Sequence, residues 1–260
     1  MMTRFFVLLF FTMLGASGSA LAASGPATPG FDRPGLLFAT DTIPEGYFAY
    51  EQGLPDMSFS ETAGTDASVY ALNAALRYGF AQDWEVQLGL APLAHVRIDG
   101  PVNEVSETGY GDLRLGVKHT LPAAFGDKLG GADVGFLGGI TLPTGDDAFT
   151  ADDEILDLGL TATWAMNAPG RSVGVLAQLT AGSVDDDLLI AAAYNAPLGA
   201  SAGYYLEAGI TSGDSDGSVL GGGAAWSPWR DFQLDAYVLG GVSGDAPDLQ
   251  AGFGVSIFFR

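Results

Sequence analysis

The sequence predicts an all-β fold, an antiparallel up-and-down transmembrane β-barrel of about twelve strands behind an N-terminal signal peptide. Three observations predict it. Apolar and polar residues alternate with period two, in segments long enough for a strand to cross a bilayer. Short turns alternate with longer, acidic connectors. All four tryptophans stand at segment ends beside the short turns.

The signal comes first. Arg4 precedes the apolar run Phe5 to Leu14, and small residues lead to Ala20-Leu21-Ala22. A basic start, a short apolar core and an A-x-A site mark residues 1–22 as a secretory signal. A membrane anchor would need about 20 apolar residues in a row, and Gly15, Ser17, Gly18 and Ser19 interrupt this run. In residues 23–43, Pro26, Pro29, Gly30, Pro34 and Gly35 exclude a regular strand. Phe31, Leu36, Leu37 and Phe38 nevertheless form an apolar cluster that a disordered tail would usually lack. The segment is therefore expected to fold into the periplasmic mouth of the barrel as a plug. Leu36 and Phe38 would be buried, with Arg33 reaching an inward carboxylate. A loose tether is the alternative, because termini are often unordered.

The barrel is expected over residues 44–260. Its strands read as Pro44–Gln52, Ser68–Phe80, Trp84–Ile98, Gly109–Leu121, Ala132–Thr144 and Ile155–Met166 in the first half. Ser172–Ser183, Leu188–Leu198, Ser201–Thr211, Ser218–Trp226, Phe232–Val242 and Leu249–Phe259 follow. In the second, Tyr70, Leu72, Ala74, Leu76, Tyr78 and Phe80 share one face and Asn73, Arg77 and Gly79 the other. In the third, Trp84, Val86, Leu88 and Leu90 oppose Glu85, Gln87 and Gly89. Phe232, Leu234, Ala236 and Val238 oppose Gln233, Asp235 and Tyr237 in the eleventh. The triple glycine at 221–223 leaves the tenth without a readable phase.

The connectors set the topology. Ala81–Asp83, Asn167–Arg171, Gly199–Ala200 and Ser227–Asp231 are short, whereas Gly53–Ala67, Asp99–Thr108 and Gly145–Glu154 are longer and acidic. Outer-membrane barrels have short periplasmic turns and longer external loops. A first strand running outward places every short turn, and the C-terminus, on the periplasmic side. Trp84, Trp164, Trp226, Trp229 and Phe259 then make a periplasmic aromatic girdle at the headgroup level, where one end of each ring is apolar and the other wet.

Composition excludes other classes. There is no cysteine, so an exported chain must be held by something other than disulfides, such as a large hydrogen-bonded sheet. The net charge of −21 becomes about −22 without Arg4, which argues against binding nucleic acid, whose phosphates demand basic patches. Acidic runs, Asp146, Asp147, Asp152, Asp153 and Glu154 and then Asp185, Asp186 and Asp187, read as solvated loops. They lack the spacing of a calcium loop. No metal, cofactor or catalytic residue is expected. The two histidines, His95 facing inward near the outer end and His119 facing outward near the inner end, are too far apart to share a metal or build a triad. Glycines at 138–139 and 221–223 lack the Lys and Ser/Thr of a phosphate loop.

Alternation points Arg77, Glu85, Gln87, Asp112, Arg114, Lys118, Asp157, Glu207 and Asp235 inward, with Arg97 near the outer mouth. These are the candidate pore-lining residues. They line a wet, narrow channel or pair into a network that fills a closed lumen. Twelve strands fall between a lumen filled by side chains and an open pore, and the small inward residues Gly89, Gly116, Gly135, Gly159, Gly174 and Gly209 favour the channel.

Five pieces, Asp32-Arg33-Pro34-Gly35, LRYGF at 76–80, GYGDLRLGVKHTL at 109–121, TLPTGD at 141–146 and GFGVSIFF at 252–259, occur in an order that resembles a known family. That family is the outer-membrane barrels grouped under the meta-pathway of phenol degradation. Arg260 departs from the aromatic last residue that barrel-assembly machinery commonly reads. The resemblance implies a channel or transporter for small, apolar or aromatic compounds. Its partners would be outer-membrane lipid, lipopolysaccharide and the assembly machinery. The alternative is a structural or surface-interaction barrel whose acidic loops do the work.

Overall fold

A chain whose apolar residues point away from its own centre needs an apolar solvent. In the computed structural model, Leu76, Leu115, Leu158, Leu160, Ile190, Leu206, Ile210, Leu220, Val238 and Phe253 are all exposed. The largest fully buried side chains are those of Arg77 and Lys118. This inversion, with an apolar belt outside and charges inside, is that of a barrel crossing a bilayer. The structure describes residues 25–102, 104–151, 153–182 and 186–260; the expected signal peptide, Asp152 and Asp185 lie outside them.

The strands are β1 (Phe48–Thr62), β2 (Thr65–Ala71), β3 (Ala74–Ala81), β4 (Trp84–Leu90), β5 (Ala94–Asp99), β6 (Glu104–Gly109), β7 (Leu113–Thr120) and β8 (Asp133–Leu142). They continue with β9 (Ile155–Ala165), β10 (Ser172–Ala181), β11 (Asp186–Pro197), β12 (Ala202–Gly213), β13 (Gly217–Trp226), β14 (Phe232–Gly244) and β15 (Leu249–Phe259). Three crossings are each interrupted, as β2 with β3, β4 with β5 and β6 with β7, so the wall has twelve staves. Every pairing between strands is antiparallel, and β15 pairs with β1, Phe48 opposite Phe259, to close the barrel. Closure leaves no free edge in the wall. The short turns and both described ends of the chain gather at one rim, and the hairpins joining β1 to β2 and β12 to β13 stand at the other, far rim.

The far rim differs from the sequence expectation. Gly53–Ala67 is not a loop, and most of Asp99–Thr108 is strand; the sheet runs on through β1, β2, β5 and β6, with only Ala63 and Gly64 turning between β1 and β2. In β1 a bulge between Gly53 and Asp56 is the reason. Below it Ala49, Glu51 and Gly53 face the lumen. Above it Asp56 and Ser58 do, because they pair with the inward Gly252 and Gln250. An extra residue reverses the alternation, and a single-phase reading loses the strand there.

Residues 25–43 lie inside the barrel. The chain enters from the short-turn rim, reaches Gly35 and Leu36, and returns to the rim at Ile43. Three glycines make room for it. A Cβ built on Gly159 of β9 would meet the Phe38 ring at 2.9 Å. One on Gly174 of β10 would meet Leu37 at 2.7 Å, and one on Gly209 of β12 would meet Leu36 at 2.9 Å. The wall is small where the segment is large. Phe38 packs with Leu176 and Ala191, flanked by Leu36, Leu37, Leu137 and Leu189, and a second cluster joins Ile43, Ala49 and Phe258 with Phe31.

Candidate lumen site

The lumen charges come from neighbouring strands whose register lines them up. Ala49 of β1 stands beside Arg77 of β3, which faces Gln87 of β4, and Glu85 faces Lys118 of β7. The Arg77 guanidinium is fully buried. It donates to Glu85 at 2.8 and 3.0 Å, to Glu51 at 2.7 Å and to the Gly30 carbonyl at 3.1 Å. Asp32, from the inserted segment, completes the cluster. It lies 3.5 Å from Arg77 and accepts from Lys118 at 2.7 Å and from Gln87 at 2.8 Å. Backbone amides of the segment join in, Asp32 and Arg33 donating to Glu51 and Ile43 to Glu85. Charges removed from water need such complete pairing.

Arg33 forms a second anchor. It makes two parallel hydrogen bonds to Asp56, 2.9 and 3.0 Å, and reaches Asp235 at 3.3 Å, while Gln233 donates to its carbonyl. Arg114 of β7 holds Asp157 of β9 at 2.9 and 2.5 Å. Glu207 of β12 accepts the Leu36 amide at 2.8 Å. Thus Arg77, Glu85, Gln87, Arg114, Lys118, Asp157, Glu207 and Asp235 face the lumen, and all but Arg114 and Asp157 touch the inserted segment.

Two candidates lie elsewhere. Arg97 is not at the lumen: it pairs with Ser68, which pairs with Phe59, on the outward face that Met57 and Tyr70 share. It bonds Asp99 and Glu104 there. The interruption at Ala91-Pro92-Leu93 reverses the phase between β4 and β5, which also turns His95 outward, against Thr108. Asp112 sits in the break between β6 and β7 and organises residues 144–151 of the loop after β8. It accepts from the Thr144, Gly145 and Ala151 amides and the Thr150 hydroxyl at 2.8 to 3.0 Å. Burial alone would raise its carboxyl, but these hydrogen bonds hold it below the ordinary range.

At the short-turn rim, Trp84, Trp226, Trp229 and Phe259 are exposed and Trp164 is half-buried beneath the turn of residues 122–131, donating to the Leu129 carbonyl. His119 stacks on Trp84 at 4.0 Å. Arg260 ties the same rim together. It bonds Asp231 at 2.6 and 2.8 Å, the Thr28 hydroxyl at 3.3 Å and the Pro26 carbonyl. The C-terminal residue thereby grips the start of the inserted segment.

Sequence reasoning missed Asp32, Glu51 and Asp56. Glu51 shares its phase with Ala49 and was open to the alternation argument. Asp56 was not, because it lies past the bulge. Asp32 stands beside Arg33 in the sequence with no partner near it, since only the fold brings Lys118 to it.

Space remains on the far side of the segment from the Arg77 cluster. A cavity of about 360 Å³ lies between Phe31, Leu37 and Phe38 of the segment and Thr161, Ala193, Tyr205 and Glu207 of the wall. Nearer the far rim, a cavity of about 170 Å³ adjoins Arg33, Asp56 and Tyr237. Another of about 280 Å³ adjoins Leu36, Leu189 and Thr211. Pro34 borders the first two and Leu36 the last two, so the segment partitions the lumen.

A family model described as "Putative MetA-pathway of phenol degradation" matches residues 31–259. No curated protein matches the chain. Among solved structures, the COG4313 outer membrane channel from Pseudomonas putida F1 is similar at a TM-score of 0.62 and 14% identity, over 85% of this chain and 98% of that one. The translocator domain of the autotransporter NalP from Neisseria meningitidis gives a TM-score of 0.49 at 15% identity, over 88% of this chain and 90% of that one. At such identities the first likeness speaks for a shared barrel fold.

Proposed function

The chain belongs to the family of the MetA pathway of phenol degradation, and we propose that it is an outer-membrane channel for small, apolar or aromatic compounds. The observation that carries this reading is the division of the lumen by residues 25–43. The barrel itself has space beside the segment and beyond it toward the far rim, and the closure is made by a stretch of inserted chain rather than by the wall. A segment held by side-chain contacts is a gate that can move while the sheet stays intact. Apolar surface of Leu37 and Phe38 beside the larger cavity suits apolar solutes, because burying such a solute removes its surface from water. In this reading the protein is exported by its signal, sits with its tryptophan rim at the periplasmic face and performs no chemistry on what it passes.

The test is a planar-bilayer recording and a solute-uptake assay on the refolded barrel, with and without residues 23–40 deleted behind an intact signal. Deletion should raise conductance and uptake while heat-modifiable migration shows an assembled barrel. Unchanged conductance in an assembled deletion barrel removes the plug and leaves residues 25–43 a tether. One observation favours a second reading. Every charge of the Arg77 cluster touches an opposite one, as in a closed structural barrel, and then deletion should lower stability while conductance stays at zero.

A further inference from the structure

Glu207 stands apart from the other lumen carboxylates. Asp32, Glu51, Asp56, Glu85, Asp157 and Asp235 each lie within 4.0 Å of an arginine or lysine nitrogen. Glu207, only 3% exposed, has no such partner among the described residues. One of its oxygens accepts the Leu36 amide, and the other has no hydrogen-bond partner among them. The same is true of the Tyr205 and Thr161 hydroxyls. All three residues border the 360 Å³ cavity.

A buried carboxylate without a cation is costly, and the cost is relieved when a cation is supplied beside it. Among the described residues the cations of the lumen are paired with other carboxylates, Arg77 and Lys118 in the clamp and Arg114 with Asp157. Arg33, which also borders the cavity, is matched by Asp56 and Asp235. The cavity has the size and lining to admit a cation from outside. An apolar cavity of ~150 Å³ holds benzene, so 360 Å³ accommodates one ring with a substituent. Phe31, Leu37 and Phe38 supply an apolar and aromatic wall, which also favours a cation held on an apolar body.

We propose that this cavity is a binding site for small apolar amines, with Glu207 as the partner of the ammonium group and the segment side chains as the bed for the hydrocarbon. The proposal deepens the channel reading by naming a solute class for it. An anion is disfavoured by Glu207, and a neutral hydrocarbon leaves the carboxylate unpaired.

Calorimetric titration of the refolded, detergent-solubilised barrel tests this, with benzylammonium, benzyl alcohol and toluene as probes of nearly one shape. Benzylammonium should bind at least about tenfold more tightly than benzyl alcohol, because a charge-assisted hydrogen bond replaces a neutral one. The preference should survive 0.5 M salt, since a buried pair is screened little. Glu207→Gln should abolish it while leaving toluene binding unchanged, with folding checked by heat-modifiable migration. Equal binding of the alcohol overturns the proposal. So does a preference that persists in Glu207→Gln or vanishes in salt, which would reflect general attraction to an acidic protein. Binding needs no conductance, so a barrel that conducts without binding defeats only this inference, and one that binds without conducting defeats only the channel.

Discussion

The two walls of the lumen hold the same segment in opposite ways. Along β1, β3, β4 and β7, Arg77 and Lys118 are buried with Glu51, Glu85 and Asp32, and every formal charge has a partner. Along β9 to β13, the wall meets the segment through Gly159, Gly174, Leu176, Ala191 and Gly209, and Glu207 lacks a cation among the described residues. The first wall clamps the segment by charge, and the second packs against it without charge and leaves the larger cavity alongside. Any route through the barrel therefore runs along the second wall, and the clamp fixes which side of the segment stays closed.

Breaking the clamp should have the largest effect. Arg77→Met leaves Glu51 and Glu85 buried beside an apolar chain, which costs on the order of 3–5 kcal/mol. Glu207→Gln, on the second wall, should cost much less, because it removes a charge without leaving a cation behind. Urea unfolding of both variants in vesicles measures the difference. Equal losses would mean that the walls are not distinct.

The outer surface gives the next effect. Leu206 is 58% exposed between the inward Tyr205 and Glu207. Leu206→Arg should destabilise the barrel by roughly 2–4 kcal/mol if the residue meets lipid near the midplane. An unchanged unfolding midpoint in bilayers would mean that this face is not in hydrocarbon.

A smaller effect should follow on the second wall where it touches the segment. Gly159→Leu forces new atoms into the Phe38 ring, and overpacking of this kind costs about 1–3 kcal/mol. The cheaper response is for the segment to move. Conductance should then rise toward that of the deletion barrel, with little change in sheet stability. A large loss of stability with no gain in conductance would show the segment to be fixed on this side too.

How much of this was legible depends on the regularity of the pleat. Where strands run without interruption, as in β9 to β12, period two placed Asp157, Gly159, Gly174, Glu207 and Gly209 on the inner face. Arg77, Arg114 and Lys118 were legible for the same reason. Where the sheet is bulged or broken, at Gly53 to Asp56 and at Ala91 to Leu93, the phase slips by one residue. Asp56 was missed in this way and Arg97 assigned to the wrong face. The Asp32–Lys118 pair was beyond any local pattern, since 86 residues separate its members. Alternation reports a face and says nothing of what enters the lumen.

The smallest effect concerns the latch at the short-turn rim, which separates holding the segment at its entrance from holding it at the wall. The hydrogen bonds from Arg260 keep the Asp231 carboxyl below its ordinary range, and partial burial does not cancel them. Because the folded value is depressed, the latch is fully present above the ordinary carboxylate value of about 3.9. It is lost only as pH falls through the lower folded value. Lowering pH from 7 to 5 should therefore leave the entrance of the segment closed, and loosening should begin only below about pH 4. Arg260→Ala should open the same contact at pH 7. Maleimide labelling of a Pro29→Cys variant, buried next to Thr28, reads the entrance directly. Labelling should rise in Arg260→Ala while conductance stays near that of the parent, because the Asp32 and Arg33 anchors remain in place. If conductance rose as far as labelling did, the latch rather than the clamp would be what keeps the lumen divided.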